Sequence, residues 1–206
     1  MSADTGGTSG LALTRGRLEA FSDAVIAILI TIMVLFLRVP SGTDWSALRS
    51  VLPIFFSYVL SFVFLGIYWN NHHHMLSTID RVNGATLWAN LHLLFWLSLI
   101  PFVTSWMGSH DFRPLPTALY GAVGLMAAIA YYILQLVIIR AQGAGSPLAA
   151  AVGKDIKGKI SPGAYAIAIP AAFLSPWISI ALYAAVALMW LVPDRRIEGR
   201  MERRTG

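Results

Sequence analysis

Cysteine is absent from the 206 residues, which excludes disulfides and thiolate metal ligands. Charge is scarce. Asp, Glu, Lys and Arg make up 12% of the chain, against about 25% in a soluble domain. Hydrophobic residues make up 57%, and the mean hydropathy is +0.66. Such a composition reads as an integral membrane protein. Other absences narrow the function. There is no internal repeat, so an inverted-repeat transporter within one chain is not supported. There is no Arg at every third position, as a voltage sensor of the usual kind needs. No TVGYG-like loop is present, so a filter of backbone carbonyls of that kind is missing. No Ser-His-Asp set, paired carboxylates or Gly-rich phosphate loop occurs in a plausible context. Nothing therefore suggests an enzyme, a cofactor or a nucleic-acid partner.

Long apolar runs dominate what is present. A spanning helix needs about 20 apolar residues. Candidate spans fall at roughly 17–38, 48–72, 84–107 and 116–139, followed by an apolar block over 162–192. That block is long for one span, and Ser175-Pro176-Trp177 interrupts it. A residue before proline is pushed out of helical geometry, which divides the block into 162–175 and 177–192. The fold class is thus all-α, with six spans over 17–193. Residues 1–16 form a polar tail expected to be disordered and not a signal peptide, and 194–206 a basic tail.

The basic residues test this division. With the amino end cytosolic, Arg15, Arg17, Arg81, Arg140, Lys154, Lys157, Lys159, Arg195, Arg196, Arg200, Arg203 and Arg204 lie inside. Only Arg38, Arg49 and Arg113 lie outside, which agrees with the positive-inside rule. Five spans would put the Arg-rich tail outside. Both termini are therefore predicted to be cytosolic.

The mouth of the first span carries Arg17, Ser22 and Asp23. Charge that close to lipid is costly and marks function or a buried polar network. Helical residues advance about 100° each. On that wheel Ala24, Thr31, Ile32 and Leu35 fall within about 60° of Ile28. Asp23 lies about 140° and Ser22 about 120° away from it. One stripe is therefore branched and apolar with a single hydroxyl, and the Ser/Asp pair points towards neighbouring helices. Periodicity alone leaves two readings open: a stripe that packs against helices or lipid, and one with a function.

Arg17-x-x-x-Phe21-Ser22-Asp23 resembles the RxxxFSD signature of the transmembrane protein 175 family, the endosomal and lysosomal potassium channels and their prokaryotic relatives. Tyr68-Trp69-Asn70-Asn71-His72-His73 is similar to the family's Tyr-Trp-x-x-His pattern. Asn90-Leu91-His92-Leu93-Leu94-Phe95 with Pro101-Phe102 is similar to its third-span elements. The resemblance implies a six-span prokaryotic member in the plasma membrane. It implies a homotetramer, with the first helices of four subunits lining a central pore. Rings of Ile28, Thr31, Ile32 and Leu35 would form a hydrophobic constriction, with Ala24 in a wider vestibule. Potassium is then the permeant ion, because shedding water costs it less than it costs sodium. Apolar rings can also gate by dewetting. The resemblance also implies a polar network that ties Arg17, Ser22 and Asp23 to Asn70, His73, Asn90 and His92, with Phe21 completing the motif. Arg17 falls on the stripe face, so its side chain is expected to fold back towards carboxylates.

Three rivals share these residues: a weakly selective cation or proton channel of the same fold, a proton-coupled secondary transporter using Asp23 and the histidines, and a scaffold without transport. His72-His73-His74 suggests a metal site, but consecutive helical residues diverge by about 100° and cannot converge on one ion. No tightly bound metal is expected. Most of the seven tryptophans lie near predicted span ends, as an interfacial belt requires.

Overall fold

The structure is a computed structural model and describes residues 14–79, 82–143, 145, 146, 148, 149 and 156–191. The expected tail 194–206, residues 1–13 of the amino-terminal one, and Arg81 and Lys154 lie outside those residues.

Among the described residues every regular element is a helix. Helix α1 spans Arg15–Ile32 and continues as a 3-10 turn over Met33–Phe36. Helix α2 spans Trp45–Ser77, α3 Gly84–Ser98, α4 Ile100–Ser109, α5 Pro114–Gln142, α6 Ile156–Leu174 and α7 Pro176–Leu191. Among the described residues, four apolar stretches are long enough to cross a membrane: Arg15–Phe36, Trp45–Ser77, Gly84–Ser109 and Pro114–Gln142. The last two apolar helices are shorter.

Local chemistry sets these limits. The Asp44 carboxylate accepts a hydrogen bond from Ala47 N at 3.0 Å and caps α2. Asn83 does the same for α3, accepting from Thr86 N at 2.8 Å. Pro114 opens α5 at a position where a missing N–H costs nothing. Gly143 closes it at φ 91°, in the half of backbone space that favours glycine. Pro101 has no N–H for the turn before it, and α3 gives way to α4 at Leu99. The long apolar reading of 84–107 did not foresee that break. Helices α6 and α7 part at Ser175, ahead of Pro176.

Helix α5 is central, packing against α3, α4, α6 and α7. Close approach depends on small residues. A Cβ on Gly121 would lie 2.1 Å from the Tyr183 hydroxyl, and one on Gly124 would lie 2.9 Å from the Tyr165 ring. Tyr183 uses that space to donate to the Thr117 carbonyl at 3.0 Å. Helix α1 lies to one side, against α2, α3 and α4.

Candidate functional site

Helix α1 has two unlike faces. Leu18, Ser22, Ile26, Leu29 and Met33 are spaced three or four apart and are buried in the bundle. Ile26 is 0% exposed. Ala24, Ile28, Thr31, Ile32 and Leu35 are all exposed on the other side. Ile28 is 61% exposed and Leu35 77%. The stripe read from the wheel is thus the uncovered face of the single chain. Thr31 Oγ1 donates back to the carbonyls of Ala27 and Ile28, both at 3.0 Å, so the one hydroxyl on the stripe has partners on its own helix.

The end of the helix differs from the α-helical wheel. Met33–Phe36 form a 3-10 turn, in which residues three apart eclipse. Leu35 therefore stands almost directly above Ile32 rather than a sixth of a turn away. The 3-10 turn ends at Leu37, whose backbone is extended.

The polar groups at the opposite end form two clusters. In the buried one, Asn90 Nδ2 donates to Ser22 Oγ at 2.9 Å, and Asn90 Oδ1 lies 2.7 Å from His72 Nε2. Ser22 Oγ itself donates to the Leu18 carbonyl at 2.9 Å. One asparagine on α3 so joins α1 to α2. The second cluster is nearer the surface. Trp69 Nε1 donates to Asp23 Oδ1 at 3.0 Å. His73 Nδ1 lies 2.8 Å from Glu19 Oε1. Arg15 is 3.7 Å from Glu19 and donates to the Ser77 carbonyl at 2.9 Å.

Several assignments within the network change accordingly. The histidine bonded to the Ser22–Asn90 pair is His72, while the expected His73 meets Glu19 instead. Asn70 is exposed on α2, and His92 accepts from Trp96 on its own helix at 3.0 Å. Arg17 is exposed, and among the described residues it forms no ion pair; Arg15 takes the place beside the carboxylate that was expected of it. Phe21 is exposed beside the stripe. Sequence reasoning missed Glu19, Trp69 and His72 as partners. Trp69 and His72 stand within the quoted Tyr68–His73 stretch, but that pattern does not say which of its side chains turn towards α1. His72 and His73 diverge, with His72 meeting Asn90 and His73 meeting Glu19.

Known proteins bear on this arrangement. The family described as endosomal/lysosomal potassium channel TMEM175 matches residues 17–101. A potassium channel of Chryseobacterium sp. (strain P1-3) is 54% identical over 186 residues, spanning 90% of this chain and 97% of that protein. The chain belongs to the TMEM175 family. A second relative, a potassium channel of Streptomyces collinus, is 31% identical over 186 residues, 85% of this chain and 90% of its own. Among solved structures, the crystal structure of a lysosomal potassium-selective channel TMEM175 homologue from Chamaesiphon minutus superposes with a TM-score of 0.75 at 27% identity, over 86% of this chain and 96% of that one. A variant of the potassium channel MtTMEM175, bound to a nanobody fusion, superposes with a TM-score of 0.61 at 17% identity, over 98% and 100%. That second likeness speaks to the fold alone. TMEM175 membership makes the chain a membrane-embedded protein of a channel family, not an enzyme.

Proposed function

We propose that this chain is a potassium-selective channel of a prokaryotic plasma membrane, with both termini cytosolic. Four copies, each crossing the bilayer six times, surround a central pore lined by α1. Ile28, Thr31, Ile32 and Leu35 form rings that constrict it, and Ala24 lines a vestibule on the cytosolic side. No carbonyl loop takes part. A potassium ion sheds water more readily than sodium, so a narrow apolar ring favours it. The same ring closes the pore when it dewets.

The observation that carries this reading is the uncovered apolar stripe on α1, set against a buried face that is fixed by Ser22 and Asn90. A helix anchored on one side and free on the other is suited to line an axis between copies. The names of the relatives support potassium as the ion. The Ser22–Asn90–His72 cluster and the Asp23–Trp69 contact then serve to set the rotation of α1. Rotation matters here, because a turn of the helix by one residue would replace Ile28 with a neighbour.

The test is current through a planar bilayer holding the purified protein, with potassium on one side and sodium on the other. The reading predicts a reversal potential near that for potassium alone. A reversal near zero removes the selectivity. No current from tetramers of verified size contradicts the channel reading.

A further inference from the structure

A cavity of about 70 Å3 lies between α2, α5, α6 and α7, and no residue of α1 lines it. We propose that it binds a small neutral aromatic alcohol of the phenol class.

The walls are aromatic, with the rings of Phe64, Tyr68, Tyr131, Tyr165 and Trp190. Aromatic side chains favour a ring-shaped guest, held edge to face or in offset stacks. Among the described residues, no Asp, Glu, Lys, Arg or His lines the space. A charged guest would find no counter-charge there, so the guest is neutral.

Two polar groups define what else it carries. Most of the polar lining is already satisfied: Ser161 donates to the Lys157 carbonyl and accepts from Trp190 Nε1, and Asn71 Nδ2 donates to the Ile67 carbonyl. Gln135 is not. It is 7% exposed and, among the described residues, its amide has no hydrogen-bond partner. The Tyr165 hydroxyl is also buried without a partner. Unpaired polar groups within membrane-spanning helices are costly. A guest hydroxyl can both donate to the Gln135 carbonyl oxygen and accept from its NH2 group.

Size agrees. A water needs about 10–15 Å3 of such volume, so the space is that of about five to seven waters. Phenol has a comparable number of heavy atoms. Tyr132 is exposed and also lines the cavity, so the space reaches the protein surface and a guest can enter.

The test is fluorine NMR of para-fluorophenol titrated into the full-length protein in detergent micelles. Protein-free micelles are the reference, and fluorobenzene is the hydroxyl-free comparison. The proposal predicts a saturable shift beyond that in micelles, several-fold weaker for fluorobenzene. Ala128→Phe and Ala187→Leu, from α5 and α7, fill the cavity from two sides. Each should abolish the shift while eluting at the native volume. Gln135→Leu should weaken para-fluorophenol several-fold and leave fluorobenzene unchanged. A native signal equal to that of micelles would mean that the cavity holds water only and would overturn the proposal. Binding that survives both filling variants, or equal binding of the two probes, would overturn it as well.

Discussion

Asn90 bonds to two helices at once: its Nδ2 donates to Ser22 Oγ at 2.9 Å on α1, and its Oδ1 faces His72 Nε2 at 2.7 Å on α2. With the NH2 group turned to Ser22, the carbonyl oxygen is what meets the imidazole, so the ring N–H sits on Nε2. All three residues are buried. Asn90→Leu keeps roughly the same volume but strands the His72 N–H. A stranded buried donor costs about 1–3 kcal/mol. Thermal unfolding in detergent should show that loss, and an unchanged midpoint would mean that the cluster adds nothing.

Gly108 on α4 lies against the backbone of α2. A Cβ there would sit 2.6 Å from Ile54 Cα and 2.8 Å from Ser57 Oγ. Backbone cannot move aside, so Gly108→Ala should destabilise by about 1–3 kcal/mol. Gly66, inside α2, has nothing within 4 Å of its Cβ position. Gly66→Ala should be neutral or stabilising by about 0.5–1 kcal/mol. The same unfolding measurement compares the two, and equal effects would contradict the packing described.

Asp44 caps α2 from outside the span. Its hydrogen bonds from Ala47 N and Ser46 Oγ hold the carboxyl below its ordinary value of 3.8. A lowered folded value means that the cap helps above the ordinary carboxylate range, and that this help is lost as pH falls through the lowered value. Asp44→Ala should speed exchange of the Ala47 amide several-fold at neutral pH. Asp44→Asn should keep its protection, because asparagine caps without a charge. Equal protection in Asp44→Ala would refute the cap.

Ile28 sits in the middle of the uncovered stripe. Ile28→Asn puts an amide where the proposed constriction is apolar. The reversal potential between potassium and sodium should move towards zero. Unchanged selectivity and conductance would place the filter elsewhere.

Much of the helical layout was legible because apolar runs, caps and prolines are local signals. Pro176 marks the junction of α6 and α7 in the sequence itself. The break at Leu99 was not legible, because an unbroken apolar run surrounds Pro101. The members of the α1 stripe were legible from period, but period left open whether other helices cover that face; the burial of Leu18, Ser22, Ile26, Leu29 and Met33 on the opposite side decides that for the single chain. Partners across helices were less so. Whether His72 or His73 faces Asn90 depends on how α2 is rotated against α3, and that follows from packing many residues away. The 3-10 turn that brings Leu35 above Ile32 was likewise outside the reach of a fixed helical wheel.

The chain has no cysteine, so one introduced thiol is the only thiol present. The most direct test of the pore reading compares Ile28→Cys on the uncovered face with Ile26→Cys on the buried one, under silver ions applied during recording. Current through Ile28→Cys should fall rapidly, while native and Ile26→Cys channels carry on. Block of Ile26→Cys with Ile28→Cys unaffected, or no block of a conducting Ile28→Cys channel, would contradict a pore lined by this face of α1.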